Sequence, residues 1–198
     1  QPASFCGLVG LKPTYGAVSR FGLMAMGSSL DQIGPVAKDV FDAEIIFDAI
    51  KGQDQYDGTT ISDDTYEKTA VPKKFTIGIP REFTESKGVS KEVSDNFKES
   101  VENLAKAGHI IEEIKIPSIS YSLPVYYIIM PAEVSSNLAR FDGMKYGALA
   151  EADDLMGEYF KTRGNYFGRE ARRRIILGTY VLSAGYYDAY YGKAGTVR

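Results

Sequence analysis

Three consecutive arginines, Arg172-Arg173-Arg174, have the type and setting most suited to binding chemistry. A guanidinium presents a planar fork of N–H donors that meets a carboxylate or phosphate with two parallel hydrogen bonds. Consecutive residues on a helix project about 100° apart, so the three are expected not to share one target. Arg174 stands in line with Gly178, Val181 and Gly185 and heads a charge-free run from Ile175 to Gly185. It is therefore the one expected to point inward. A buried arginine requires an anion. That anion is either internal, with Asp142 and Asp188 as candidates, or the carboxylate of a ligand.

The remaining reactive types are weaker candidates. Ser28 and Ser29 follow a glycine, but the G-x-S-x-G elbow is not matched and no histidine is near in sequence. They read as a hydroxyl pair that holds loop backbone. His109 is the only histidine, too few for a histidine metal cluster, and reads as a partly exposed residue at the start of a strand. Cys6 lies in an apolar run and reads as a buried small residue. Lys12, before Pro13, is expected to hold loop carbonyls.

The elements that must position these groups follow from period and punctuation. Gln1 to Pro35 is turn-rich loop with apolar residues between its glycines and prolines. Pro35 to Lys51 reads as a helix with Val36, Val40, Ala43, Phe47 and Ile50 on its buried face and Gly52 at its end. Gln53 to Lys74 is polar and aperiodic, a surface excursion and the best candidate for disorder. Phe75 to Pro80 is a strand, Ser90 caps a helix with a Val93, Phe97, Val101, Leu104 stripe, and Ile110 to Ile116 is a second strand. Strand, helix, strand at this spacing predicts a βαβ unit with parallel pairing. Pro117 to Pro131 reads as an aromatic loop or short helix, Ala132 to Arg140 as a helix, and Phe141-Asp142-Gly143 as a turn. Asp154 to Lys161 is a short helix. Arg169 to about Tyr191 is one long helix, buried on all sides in its charge-free middle. No linker or repeat divides the chain, so residues 1–198 are expected to form a single, partial domain.

Composition narrows the classes. The net charge is −3, which weighs against direct nucleic-acid binding by this segment. One cysteine among 198 residues excludes an internal disulfide framework and fits a reducing compartment. No apolar run reaches the roughly 18 residues needed to span a bilayer. Six tyrosines between Tyr166 and Tyr191 suggest a surface part polar and part apolar.

The run QPASFCGLVGLKPTYGAVSRFG, followed by SSLDQIGP, resembles the trailing half of the amidase signature. Three later blocks, AEVSSNLARFDGMKYG, YFGREARRRIILGTYVLSAGYYDAYYGKA and the Lys193…Val197-Arg198 end, are similar to the A-subunit branch of that family, from glutamyl-tRNA(Gln) amidotransferases. The resemblance implies an α/β fold, a fragment of the amidase-signature fold with a mixed β-sheet core and surrounding helices. It implies glutamine hydrolysis by a Ser–cis-Ser–Lys triad, with all three groups upstream of Gln1, so the fragment alone is expected to be inactive. By position, Arg174 would read the α-carboxylate of glutamine and Tyr126 would face the substrate, with Tyr127 the neighbour open to confusion. An acidic reader of the α-amino group is expected past Arg198. No cofactor is expected in this chain, since ATP and Mg would be used by a partner protein. The implied partners are the B and C subunits and, through the complex, Glu-tRNA(Gln), in the cytoplasm or an organellar matrix and without a membrane. A small-molecule amidase of the same family and a non-catalytic interaction module remain as alternatives.

Overall fold

The computed structural model describes residues 1–65, 70–84, 86 and 88–198. The chain forms two compact units, Gln1–Glu67 with Leu123–Arg198, and Lys68–Ser122.

The first unit opens with a single helical turn, α1 (Pro2–Phe5), and a short strand, β1 (Val9–Gly10). This pairs antiparallel with β2 (Val36–Ala37) in the register Val9↔Ala37 and Gly10↔Val36. The pairing takes up the residues expected to start a helix at Pro35. The helix, α2 (Val40–Ile50), begins instead after Asp39, whose carboxylate accepts the Asp42 N–H at 2.9 Å. An aspartate cap satisfies a first-turn donor that Pro35 could not. Of the expected stripe only Ala43 is buried, whereas Val40 is exposed. Gly52 closes the helix, its N–H reaching the Ala17 carbonyl at 3.0 Å.

Gln53 to Thr65 is built rather than loose. Asp57 accepts the Arg20 N–H at 2.8 Å and the Thr59 N–H and hydroxyl at 3.0 and 2.7 Å. Asp54 accepts the Ser19 hydroxyl at 2.6 Å and the Tyr56 N–H at 2.9 Å. Side chains that supply hydrogen bonds locally give aperiodic backbone a defined course without a helix or ladder. The Tyr66 to Thr69 part of the expected excursion lies outside the described residues.

The second unit holds the expected βαβ arrangement. β3 (Thr76–Pro80) leads through α3 (Arg81–Thr84) and α4 (Lys91–Lys106) to β4 (Ile110–Ile114). The strands are parallel, from Thr76↔Ile110 to Pro80↔Ile114. Ser90 caps α4 by accepting the Val93 N–H at 3.4 Å. Phe97 and Val101 of α4 share a groove with Ile79 of β3 and Ile111 of β4, which places the helix on the sheet. No residue of the expected stripe is fully buried, and Val93, Phe97 and Leu104 are exposed. His109 sits immediately before β4, as expected, and its Nδ1 accepts the Phe75 N–H at 3.1 Å. A 3-10 turn, Pro117–Tyr121, follows.

α5 (Ser122–Asn137) replaces the expected loop and shorter helix. It runs through Pro131, which forfeits one i→i−4 bond. Burial of Ile129, Met130, Pro131, Ala132 and Val134 offsets that loss, at about 25 cal/mol per Å² of apolar area. After the expected turn at Asp142 come α6 (Leu155–Tyr166), capped by Asp154, and α7 (Arg169–Leu182). α7 stops well short of Tyr191. The Ser183 hydroxyl donates to the Tyr180 carbonyl at 2.7 Å, Ser183 is extended, and Gly185 has φ +86°. A hydroxyl competing for a last-turn carbonyl and a left-handed glycine are both helix-ending devices. A π-helical turn, Asp188–Gly192, and α8 (Lys193–Val197) complete the unit. The charge-free part of α7 is buried on one line, Gly178 and Val181, while Ile176 is 68% exposed. Lack of charge therefore does not mark burial on all sides here.

Among the described residues, no helix is long and apolar enough to cross a membrane.

Candidate functional site

The two residues singled out for substrate contact meet. Tyr126 lies in the first turns of α5 and Arg174 in the second turn of α7. Arg174 Nη1 donates to the Tyr126 hydroxyl at 3.2 Å. The approach is set lower on the same two helices. A Cβ on Gly178 would stand 1.9 Å from the Pro131 carbonyl oxygen and 2.8 Å from Ser135 Cβ. Only glycine permits backbone contact this close, so α5 and α7 cross at Gly178. Tyr127, the neighbour open to confusion, packs edge-on against Tyr126 with ring centres 5.3 Å apart.

The anion that Arg174 meets is neither Asp142 nor Asp188. It is Glu170, one turn earlier on α7. Glu170 Oε1 accepts Arg174 Nε at 2.9 Å and Arg173 Nη2 at 2.9 Å, and Oε2 accepts Arg173 Nε at 2.9 Å. Two of the three arginines thus share one target after all, because i→i+3 and i→i+4 both lie on one helix face. The hydrogen bonds from Arg173 and then Arg174 hold the Glu170 carboxyl down at about 2. Glu170, followed by the Tyr126 hydroxyl, pushes Arg174 above its ordinary value. The Arg174 side chain is 26% exposed, so it borders solvent rather than sitting in a closed core. Asp142 is engaged elsewhere. It accepts the Met144 N–H at 2.9 Å, which lowers its own carboxyl.

Arg172 lines a different place, an apolar groove of about 610 Å³ between α6 and α7 with Met156, Phe160, Phe167 and Ile176.

The turn-rich loop docks on the other end of α5. The Ser28 hydroxyl donates to Asn137 Oδ1 at 2.6 Å, and Asn137 Nδ2 donates to the Met26 and Glu133 carbonyls at 3.3 and 3.1 Å. The Ser29 N–H and hydroxyl both bond the Glu133 carboxylate. The serine pair therefore holds the loop through side chains of α5, whereas Asp31 clamps loop backbone by accepting the Met26 and Gly27 N–H groups. Lys12 donates to the Pro13 carbonyl at 2.9 Å, the expected role. Cys6, expected to be buried, is exposed beside α1, whose one buried residue is Ala3.

Sequence reasoning passed over Arg20. Its Nη1 donates to the Ser28 carbonyl at 2.5 Å and its Nη2 to the Thr59 hydroxyl at 3.1 Å, over the Tyr15 ring at 4.8 Å. Asp57, held down at about 2 chiefly by the Thr59 hydroxyl, stands 3.7 Å from Arg20 Nε. Nothing local marks these partners, which are 8 to 39 residues from Arg20. Glu170 was legible, since its spacing to Arg174 is the i,i+4 pattern. The tyrosine-rich end forms a cluster, with Tyr180 and Tyr186 ring centres 4.5 Å apart and the Tyr180 hydroxyl pushed up by its bond to Tyr186. Among the described residues, no group of three or more histidine, cysteine or acidic side chains is placed to hold a metal.

Residues 1–198 match the family described as Amidase, and the chain belongs to it. It is 51% identical, over its whole length, to the A subunit of a glutamyl-tRNA(Gln) amidotransferase from Pseudothermotoga lettingae and covers 43% of that protein. The identity to the corresponding A subunit from Gloeothece citriformis is 54%, over the whole chain and 42% of that protein. The chain thus spans about two fifths of the length of the curated relatives it matches. Among solved structures, the A subunit of the Thermotoga maritima glutamyl-tRNA(Gln) amidotransferase superposes with a TM-score of 0.66 at 42% identity, over all of this chain and 39% of that one. A peptide amidase from Stenotrophomonas maltophilia has a TM-score of 0.65 at 24% identity, over 98% of this chain and 41% of that one, and shares the fold.

Proposed function

We propose that this chain is the part of a glutamyl-tRNA(Gln) amidotransferase A subunit that reads the α-carboxylate of glutamine. The observation that carries the substrate is the meeting of Arg174 and Tyr126, 48 residues apart, at 3.2 Å. Arg174 Nη2 has no protein partner among the described residues, so the outer end of the fork is available to a carboxylate. A guanidinium held from two sides loses less freedom when it takes a ligand. Tyr126 accepts from Arg174 through its hydroxyl.

The relatives supply the reaction class. In this reading the intact protein is an amidase-type enzyme, the glutaminase part of a ligase complex that serves protein biosynthesis. Amide hydrolysis falls to a Ser–cis-Ser–Lys triad, implied by the signature resemblance and contributed from outside residues 1–198. Backbone N–H groups beside the nucleophile stabilise the oxyanion. The ammonia goes to the B subunit, which activates glutamate on tRNA with ATP and Mg, and the C subunit is the third member of the complex.

The test is Arg174→Ala and Arg174→Lys in a protein of the relatives' full length with its partner subunits. Each is assayed on glutamine and on an analogue lacking the α-carboxylate. A hydrogen-bonded charged pair is worth about 1.5–3 kcal/mol, so kcat/KM for glutamine should fall about 10- to 150-fold in Arg174→Ala. The analogue should lose little. Lysine should restore only part, because it lacks the fork. Equal losses on both substrates would make Arg174 a structural residue and remove the assignment.

A further inference from the structure

The carboxylate of Glu170 is used up within α7. It takes three charge-assisted hydrogen bonds, all at 2.9 Å, two from Arg173 and one from Arg174. Its place in the first turn of α7 also suits the positive end of the helix dipole. An exposed ion pair of this kind adds little to stability, since about half of the Glu170 side chain is open to solvent. Its geometric effect is larger. Arg174 has five N–H donors in one rigid plane. Glu170 takes Nε, Tyr126 takes Nη1, and Nη2 is left without a protein partner among the described residues. Two anchors on a planar group fix both its direction and its roll.

Arg173 sits in the same grip. Its Nε and Nη2 form a two-pronged pair with both Glu170 oxygens. A second guanidinium, one residue from the first, is thereby committed to Glu170 through its Nε and one Nη.

We infer that Glu170 is the positioning residue of this site: it holds Arg174 Nε so that the Nη end of the fork meets a ligand carboxylate. The inference rests on the reading that Arg174 takes the α-carboxylate of glutamine. It assigns Glu170 no contact with the substrate and no proton transfer. Its effect belongs in KM, because orienting Arg174 serves ground state and transition state alike.

Charge and geometry make opposite predictions, which separates them. If Glu170 were only a nearby negative charge, removing it would strengthen carboxylate binding and lower KM. If it positions Arg174, removal frees a long side chain and raises KM. Glu170→Gln removes the charge and keeps the shape. Glu170→Asp keeps the charge and withdraws it by one methylene.

The experiment uses the full-length protein with its partner subunits, with glutamine and an analogue lacking the α-carboxylate as substrates. Both Glu170 variants should raise KM for glutamine about two- to fivefold, leave kcat within about twofold and leave the analogue unaffected. The double variant Glu170→Gln, Arg174→Ala should be no worse than Arg174→Ala alone, since a residue acting through Arg174 adds nothing once Arg174 is gone. Thermal unfolding of each variant checks that it folds, and Glu170→Asp carries the test if Glu170→Gln does not. An unchanged or lowered KM overturns the inference, as do equal losses on the two substrates or additive losses with Arg174→Ala. Arg174→Ala alone separates the two levels. If it spares the analogue while the Glu170 variants do nothing, only the positioning role falls. If it affects both substrates equally, the carboxylate reading falls and this inference with it.

Discussion

Gly178→Ala should separate the two helices that make the site. A Cβ there would lie 1.9 Å from the Pro131 carbonyl oxygen, 2.5 Å from its carbon and 2.8 Å from Ser135 Cβ. The first two neighbours are backbone and cannot rotate away. Ordinary contact begins near 3.4 Å, so α5 and α7 must part by about 1.5 Å. Overpacking of a core costs about 1–3 kcal/mol and occasionally more, and a clash with backbone belongs at the top of that range. Alanine in place of glycine inside a helix returns about 1 kcal/mol. The net expectation is a loss of about 2 kcal/mol, or about 4–8 °C in Tm for a domain of this size. The functional effect should be larger than the loss of stability suggests. The Arg174–Tyr126 hydrogen bond is 3.2 Å, already at the long end, and does not survive a parting of that size. KM for glutamine should therefore rise in the folded variant. Urea unfolding and glutaminase kinetics on the full-length protein measure both effects. Unchanged stability together with unchanged KM would refute the crossing geometry and the site built on it.

Gly164→Ala is the matching control. Gly164 lies inside α6 with open space where a new Cβ would go, so the variant should gain about 0.5–1 kcal/mol, read as a higher urea midpoint. Asn137→Asp should cost about 2–4 kcal/mol in the same assay, because Asn137 is buried and its amide donates to the Met26 and Glu133 carbonyls, which a carboxylate would repel. Asp57 gives a pH signature. Its carboxyl is lowered from 3.8 to about 2 in the fold, so the stability it contributes is complete above about 3.8 and lost as pH falls towards 2. An acid titration of unfolding should show that loss in the wild type and its absence in Asp57→Asn. An identical acid response in the two would remove Asp57 from the account of how the Gln53 to Thr65 segment is held.

What the sequence by itself determined was local or carried by long blocks. Ser90 with the alternating strands around it placed the βαβ unit, and both strands pair parallel. Asp142-Gly143 marked its turn, and Lys12 its carbonyl. These signals act over a few residues, so the chain states them directly. The amidase blocks carried the family for the same reason. The Glu170–Arg174 spacing was equally legible, but the charge-free run beyond Arg174 suggested a deeper burial and a more distant anion. Tertiary structure decided the rest. Val36–Ala37 became a strand because Val9–Gly10 lay beside it, and α5 ran through Pro131 because its neighbours are buried there. Of Tyr126 and Tyr127, adjacent and alike, Tyr126 is the one that Arg174 reaches. Asn137 found Ser28 at a separation of 109 residues, and Arg20 found Thr59 at 39. A side chain's type states what kind of partner it needs. Which partner arrives depends on where two helices may touch, and here that was set by one glycine with room for a carbonyl.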